Sequence, residues 1–269
     1  MFRDRVALWM YVVVGLASLV AILPLAWLFV LSLDPTQGVA STSTELSLRN
    51  YAAVVFDSFM GRYLVNTTIV AVLTVICTLI SACLGAYAAS RFRFPGRETV
   101  MVGLLIASMT PVIAVLVPLY AYAAKLQMLN TYHVLIIVFT AWQLPGTLWL
   151  IRAFLDAIPI ELEEAALVDG CSRFGAFVKI VLPLLRPGLI AAGLIVFVYV
   201  WNEFIIAVSL ASKQDMRLVS VGLYFYLSDF GVEWGKIAAG AIISILPPAI
   251  LFFLLQRHLI HGLSAGAVK

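Results

Sequence analysis

Six long apolar runs, separated by short polar stretches, constrain this chain more than anything else in it. They extend from Val6 to Leu33, Leu64 to Ser90, Thr99 to Ala124, Tyr132 to Leu155, Pro187 to Ala211 and Lys236 to Gln256. Each is long enough to cross hydrocarbon, which takes about 20 helical residues. Inside a bilayer only helices and closed barrels satisfy their own backbone polar groups. With 63% hydrophobic and 12% charged residues among 269, a water-soluble domain could not hide the apolar surface. The expectation is an all-α integral membrane protein of six transmembrane helices, a single domain over residues 1–269. The first run is too long for a signal peptide and ends without a clean small-residue cleavage site, so it reads as a retained span.

Several details of the runs carry expectations. Leu48 to Tyr63 reads as an amphipathic helix on the membrane surface. Ser81, Gly85 and Ala89 repeat every four residues and invite a close neighbour helix. Pro111 and Pro118 fall inside the third run, Pro145-Gly146 interrupts the fourth, and Pro247-Pro248 falls in the sixth. Cys77, Cys83 and Cys171 form no CxxC pair, and His258 and His261 lack a carboxylate partner, so neither a disulfide nor a metal site is expected. There is no nucleic-acid-binding pattern.

Lysine and arginine set the orientation. With the N-terminus inside, the inner segments hold Arg3, Arg5, Arg91, Arg93, Arg97, Arg152, Arg173, Lys179, Arg186, Arg257 and Lys269. The outer ones hold Arg49, Arg62, Lys125, Lys213, Arg217 and Lys236. The excess favours cytoplasmic termini, and it is strongest in the short Arg91–Arg97 turn.

One charged amphipathic segment, about 157–186, stands between the fourth and fifth runs. Pro159 suits a first helical turn, and Glu161, Glu163 and Glu164 follow where the helix dipole favours negative charge. Gly170 offers a left-handed stop. Ser172 can cap a second helix whose Phe174, Phe177, Val178 and Val181 form one apolar stripe, ended by Pro183. Pro187 can open the next helix.

Within this segment Glu164-Ala165-Ala166 is followed after three residues by Gly170, and after nine more by Ile180, Leu182 and Pro183. This spacing resembles, with no position departing, the EAA loop of ABC-importer permeases. The resemblance implies a type I importer permease fold in the bacterial cytoplasmic membrane. It implies a second permease subunit, two copies of an ATPase subunit that bind ATP and Mg, and an extracytoplasmic solute-binding protein. It also implies that Glu164, Ala165, Ala166, Gly170, Ile180, Leu182 and Pro183 form the coupling element that docks on the ATPase. The chain itself has no GxxxxGK[ST] phosphate loop, no HExxH and no GxSxG, so it is expected to bind no cofactor and to perform no catalysis.

Trp201-Asn202-Glu203 lies deep in the fifth run, where a carboxylate costs on the order of 2.5–3.5 kcal/mol. Two readings stand side by side: a translocation-path lining, or a polar clamp between helices. Trp142-Gln143 likewise reads as path lining or as the partner of a proline kink. A similar Trp-Asn recurs in maltose-type permeases. The tail, residues 257–269, with Gly262, Ser264, Ala265 and Gly266, resembles the ending of the carbohydrate-uptake branch, specifically the maltose permease's second chain. There it can enter the interface between the ATPases; a frayed terminus is the other reading. The branch implies a sugar or sugar-like solute. The alternative function is an ion-gradient-driven carrier in which Glu203 is the coupling carboxylate.

Overall fold

The computed structural model describes residues 2–34, 46–56, 58–225, 227–228 and 231–267, with side chains described for 9–34, 46–56, 58–225 and 232–256. Its elements are helical almost throughout, and they group into two compact units.

The first unit contains Met1–Gly61 and Gly222–Leu246. Helix α1, Phe2–Ser32, presents apolar side chains outward from Trp9 to Val30, as suits a helix solvated by lipid. A short helix α2, Arg49–Phe56, is tied to the end of α1. Asn50 Nδ2 donates to the carbonyls of Ser32 at 3.1 Å and Asp34 at 2.7 Å. Tyr51 Oη and Ser32 Oγ share a hydrogen bond of 2.8 Å. The amphipathic stretch expected over 48–63 is thus two pieces, because the next helix already starts at Met60. Gly235 sits against Asn50 so tightly that a Cβ there would overlap the Asn50 amide and approach the Asp34 carbonyl to 3.0 Å.

The second unit contains Arg62–Val221 and Pro247–Lys269. Helix α3, Met60–Arg91, is an unbroken rod of 32 residues. A basic turn follows, closed by Gly96 at φ 80°. The third apolar run then departs from the single span expected of it. It forms α4, Arg97–Ser108, and α5, Val112–Lys125, at 94° to each other. The residue before a proline avoids the helical region, and Pro111 itself is extended at ψ 131°, so the helix ends and restarts there. Pro118 is simply absorbed within α5. Conversely, α6, Tyr132–Asp156, runs unbroken through Pro145, contrary to the expected interruption; Pro145 is buried there. A proline removes one ladder bond, and neighbouring helices hold the rest.

The segment after α6 folds as α7, Glu161–Val168, and α8, Arg173–Ala176, then a π-helical turn over Phe177–Val181 and α9, Leu182–Leu184. Helix α10, Arg186–Asn202, departs at 71° from the Arg173–Leu184 stretch. Pro183 therefore does not end the helix as expected. Its missing N–H is accommodated beside a turn already widened to i→i+5, and the bend falls two residues later, at Leu185. The wide turn also rotates the apolar stripe: Phe177 and Val181 are buried, while Phe174 and Val178 face outward. The fifth run stops being helical at Asn202 and resumes as α11, Ile205–Leu210, so the span expected over 187–211 is broken at Glu203.

Helix α12, Val219–Tyr224, and a two-residue antiparallel pairing of Leu227–Ser228 with Gly231–Val232 lead into α13, Trp234–Ala267. This last helix continues past Gln256 through the backbone of the expected tail. Four helices among the described residues are long and apolar enough to cross a membrane, and the number is six with each of the two bent pairs taken as one span.

The core of the second unit lies where α3, α6 and the start of α10 meet. Ala82, Ala86 and Ala89 of α3 are buried against Leu148, Ile151 and Leu155 of α6 and against Phe177, Val181 and Leu185. Small residues let the backbones approach: an added Cβ on Gly85 would meet Leu148 Cδ1 at 2.9 Å. The small-residue face runs through Ala82, Gly85, Ala86 and Ala89. Ser81, counted in the expected stripe, points outward.

Candidate functional site

The segment from α7 to α9 is built around one internal ion pair. Glu163, only 6% exposed, accepts from Arg91 Nε at 2.5 Å and from Tyr87 Oη at 2.9 Å. The same guanidinium donates through its second terminal nitrogen to the carbonyls of Leu155, 3.1 Å, and Ile158, 2.9 Å. Both charged side chains are nearly closed off from solvent, at 10% and 8% exposure. Such a pair tolerates burial only because further hydrogen bonds satisfy it, and removing one partner strands the other. The Tyr87 ring also lies 4.6 Å from Phe177 and 6.0 Å from Phe92, and Arg173 sits 5.5 Å over Phe92. The amphipathic segment is thereby fastened to the end of α3.

That fastening turns the other face outward. Glu164 and Ala165 are exposed, whereas Ala166 packs inward. Val168 is 88% exposed, with Leu162 and Leu167 partly so. Gly170 takes φ +87°, and nothing lies within 4 Å of where a Cβ would be. Ser172 Oγ accepts from the Gly175 amide at 3.0 Å, the cap read from the sequence. Ile180 and Pro183 are half-buried, as is Leu182, which packs against the core.

Around this lies a belt of charge at the same end of the helices. Arg152 donates to Glu98 at 3.0 Å and lies 3.6 Å from Asp156, while Ser90 donates to Asp156 at 2.5 Å. Trp149 Nε1 donates to the Met101 carbonyl at 3.1 Å.

The second unusual place is the break after α10. The Glu203 carboxylate accepts from the amides of Ile206, at 3.0 and 3.1 Å, and Ala207, at 3.1 Å. Its own carbonyl accepts from Ser220 Oγ at 2.7 Å. Glu203 is thus engaged locally, by the start of the helix that follows it. It is the cap of α11, satisfying amides that the break would leave bare at membrane depth. Trp201 is 3% exposed and stacks on Phe197 at 5.2 Å. Asn202 is exposed and turns its amide back to the Val198 carbonyl, 2.8 Å.

Residues 81–264 match the family described as "Binding-protein-dependent transport system inner membrane component". The chain belongs to that family. This permease is 34% identical to the trehalose/maltose transport system permease protein MalG of Thermococcus litoralis over 99% of both chains. It is 32% identical to the diacetylchitobiose uptake system permease protein DasC of Streptomyces coelicolor, covering 92% of each. Among solved structures it is similar, at TM-score 0.82 and 22% identity, to a chain from the crystal structure of a bacterial ABC transporter involved in the import of the acidic polysaccharide alginate. That likeness covers 95% of this chain and 97% of the other. The fold is accordingly the all-α, type I importer permease fold, and the protein is a multi-pass inner-membrane transport component.

Other sequence-derived residues of the permease fall less clearly on one site. Trp142 and Gln143 are half-buried on α6, just before the proline that fails to break it. Gly262, Ser264, Ala265 and Gly266 have helical backbone, and their side chains, with those of His258 and His261, lie outside the described residues. The residue that sequence reading passed over is Glu163. It stands beside Glu164 in the same acidic turn and is its opposite in placement. The available signal was helical phase: Glu163 and Ala166 share a buried face at i, i+3, and Arg91 is the last residue of an apolar helix.

Proposed function

We propose that this permease forms half of the translocation path for a carbohydrate or carbohydrate-like solute and couples that path to separate ATPase subunits through residues 157–186. Both termini and this segment face the cytoplasm. The chain binds no cofactor and has no ATPase site of its own. ATP and Mg are held by two copies of a partner ATPase, a second permease subunit completes the path, and an extracytoplasmic binding protein delivers the solute. The carbohydrate class rests on relatives named for trehalose, maltose and diacetylchitobiose transport.

The observation that carries the coupling role is the two-faced α7. Glu163 anchors it to the permease while Glu164, Ala165 and Val168 stand outward, followed by a left-handed Gly170. An acidic side chain, a methyl-sized residue and an unpartnered valine outside the spans suit a groove on another protein. The tail, including Gly262, Ser264, Ala265 and Gly266, is assigned to the interface between the ATPases.

The test is a gentle detergent purification of the tagged chain from its own membranes, with Ala165→Cys for cross-linking. We expect a second multi-span permease and a phosphate-loop ATPase to co-purify, and the adduct formed at position 165 to contain the ATPase. Screening the accompanying binding protein with sugars then names the solute. Recovery of the chain alone, with no adduct, overturns the reading.

A further inference from the structure

Helix α3 is held at both ends by buried polar attachments. At its C-terminal end stand Tyr87 and Arg91, which grip Glu163 of α7. At its N-terminal end, Asn66 is 1% exposed and has its side-chain amide occupied on both sides. Its Nδ2 donates to the carbonyls of Asp215, 2.9 Å, and Arg217, 3.1 Å, and its Oδ1 accepts from Tyr132 Oη at 2.6 Å. The neighbouring Thr67 Oγ1 accepts from the Val219 amide at 2.8 Å. Residues 215–219, which lead from α11 into the first residue of α12, thus hang from the first turns of α3 by their backbone.

Between these attachments the helix is stiff. Asn66 and Arg91 are about 37 Å apart along the axis at helical rise. Among described helices of more than twenty residues, α3 alone contains no proline; α1, α6 and α13 each carry one or two. Helix α6, which leads into α7, is continuous but carries Pro145 at its middle, and the route on the other side of α7 is broken. The Arg173–Leu184 stretch turns by 71° into α10, and α10 stops at Glu203. A displacement of α7 passed into α10 is therefore absorbed at two breaks. One passed into Arg91 meets a rod with no break, whose far end grips the 215–219 backbone.

We propose that α3 is the strut through which the ATPase-facing helix and the opposite side of the membrane sense one another. Glu163 and Asn66 are its two positioning residues. The inference rests on the coupling role given above to residues 157–186. Coupling between distant sites requires an element that both ends bias, and reciprocity then follows: what moves one end reports at the other.

The experiment uses the co-purified complex in lipid nanodiscs, trapped with Mg-ATP and vanadate or left nucleotide-free. Amide hydrogen exchange is followed in residues 213–219. In the wild-type complex, trapping should change the exchange rate of these amides at least tenfold. In Glu163→Gln, that change should fall to less than threefold while Ala165→Cys, added to it, still cross-links to the ATPase. Glu163→Asp should recover part of it, and Asn66→Ser should lose it with docking equally intact. The double variant should be no worse than the worse single variant, since both interrupt one path.

A wild-type response in Glu163→Gln and Asn66→Ser, or no response to trapping in the wild type, overturns the strut. Losses that multiply in the double variant do the same, since two independent paths would then exist. If Glu163→Gln fails to accumulate, Asn66→Ser decides by its own response. Absence of an ATPase from the purified complex is a separate result: it overturns the coupling reading itself.

Discussion

Gly188 lies directly against the Phe154 ring. A Cβ at position 188 would sit 2.6 Å from Phe154 Cγ and 3.1 Å from its Cβ. This is where the start of α10 crosses the end of α6, and no ordinary side chain fits unless the ring moves. Gly188→Ala should destabilise the permease by about 1–3 kcal/mol through overpacking. Combining it with Phe154→Leu should recover part of the loss. Thermal unfolding of the detergent-purified protein, followed by its tryptophan fluorescence, reads both; unchanged unfolding in Gly188→Ala would refute the crowding.

Gly170 presents the opposite case. Its φ of +87° is left-handed and its surroundings are empty, so substitution costs conformation and nothing else. Gly170→Ala should cost about 1–2 kcal/mol, Gly170→Asn less, and the β-branched Gly170→Val most. The loss should appear as local protease sensitivity between α7 and α8, with global unfolding little changed. An effect that grew with side-chain volume, with Asn costing more than Ala, would mean that space, not backbone hand, decides.

Glu203 separates two mechanisms. As a cap for the Ile206 and Ala207 amides, it can be replaced in part by glutamine, which keeps an acceptor oxygen. Glu203→Gln should therefore retain most uptake, and Glu203→Ala should lose about 0.5–2 kcal/mol of stability with a matching fall in functional protein. A carboxylate that couples transport to an ion gradient would behave otherwise. Uptake abolished in Glu203→Gln, with the protein still accumulating, would show that the negative charge itself is needed and that Glu203 does more than cap α11.

Gly235 and Asn50 should be mutually intolerant. An alanine methyl at 235 would displace the Asn50 amide from the Ser32 and Asp34 carbonyls. We expect Gly235→Ala to cost roughly what loss of those hydrogen bonds costs, about 1–3 kcal/mol. Asn50→Ala alone should cost a similar amount, and the pair should cost clearly less than the sum. Full additivity would show that the contact is unimportant.

Much of this was legible from the residues. Apolar length located the helices, a glycine after an acidic turn located the left-handed stop, and Ser172 announced its own cap. What escaped were features decided by tertiary partners. A proline at position 111 breaks a helix and one at 145 does not, because burial beside neighbouring helices compensates in the second case only. Glu203 looked like an isolated charge in an apolar run. The sequence carried no sign that the helix would stop and let the carboxylate meet two amides. Glu163 and Glu164 are chemically identical neighbours; helical phase with Ala166 was the one hint in the sequence, and the position of Arg91 in space decides which is anchored.

The elbow between α4 and α5 has a consequence for the lipid around it. Its limbs have 12 and 14 residues, about 18 and 21 Å of helix, so neither alone reaches across roughly 30 Å of hydrocarbon. At a right angle to each other, they cross only when both incline by about half of that angle, which gives a combined height of about 27 Å. The two limbs then form an upright wedge, in a plane that contains the membrane normal, and its height favours a slightly thinned annulus of lipid. Membrane thickness thus becomes a variable of the elbow angle: a thicker bilayer favours a straighter hinge at Pro111.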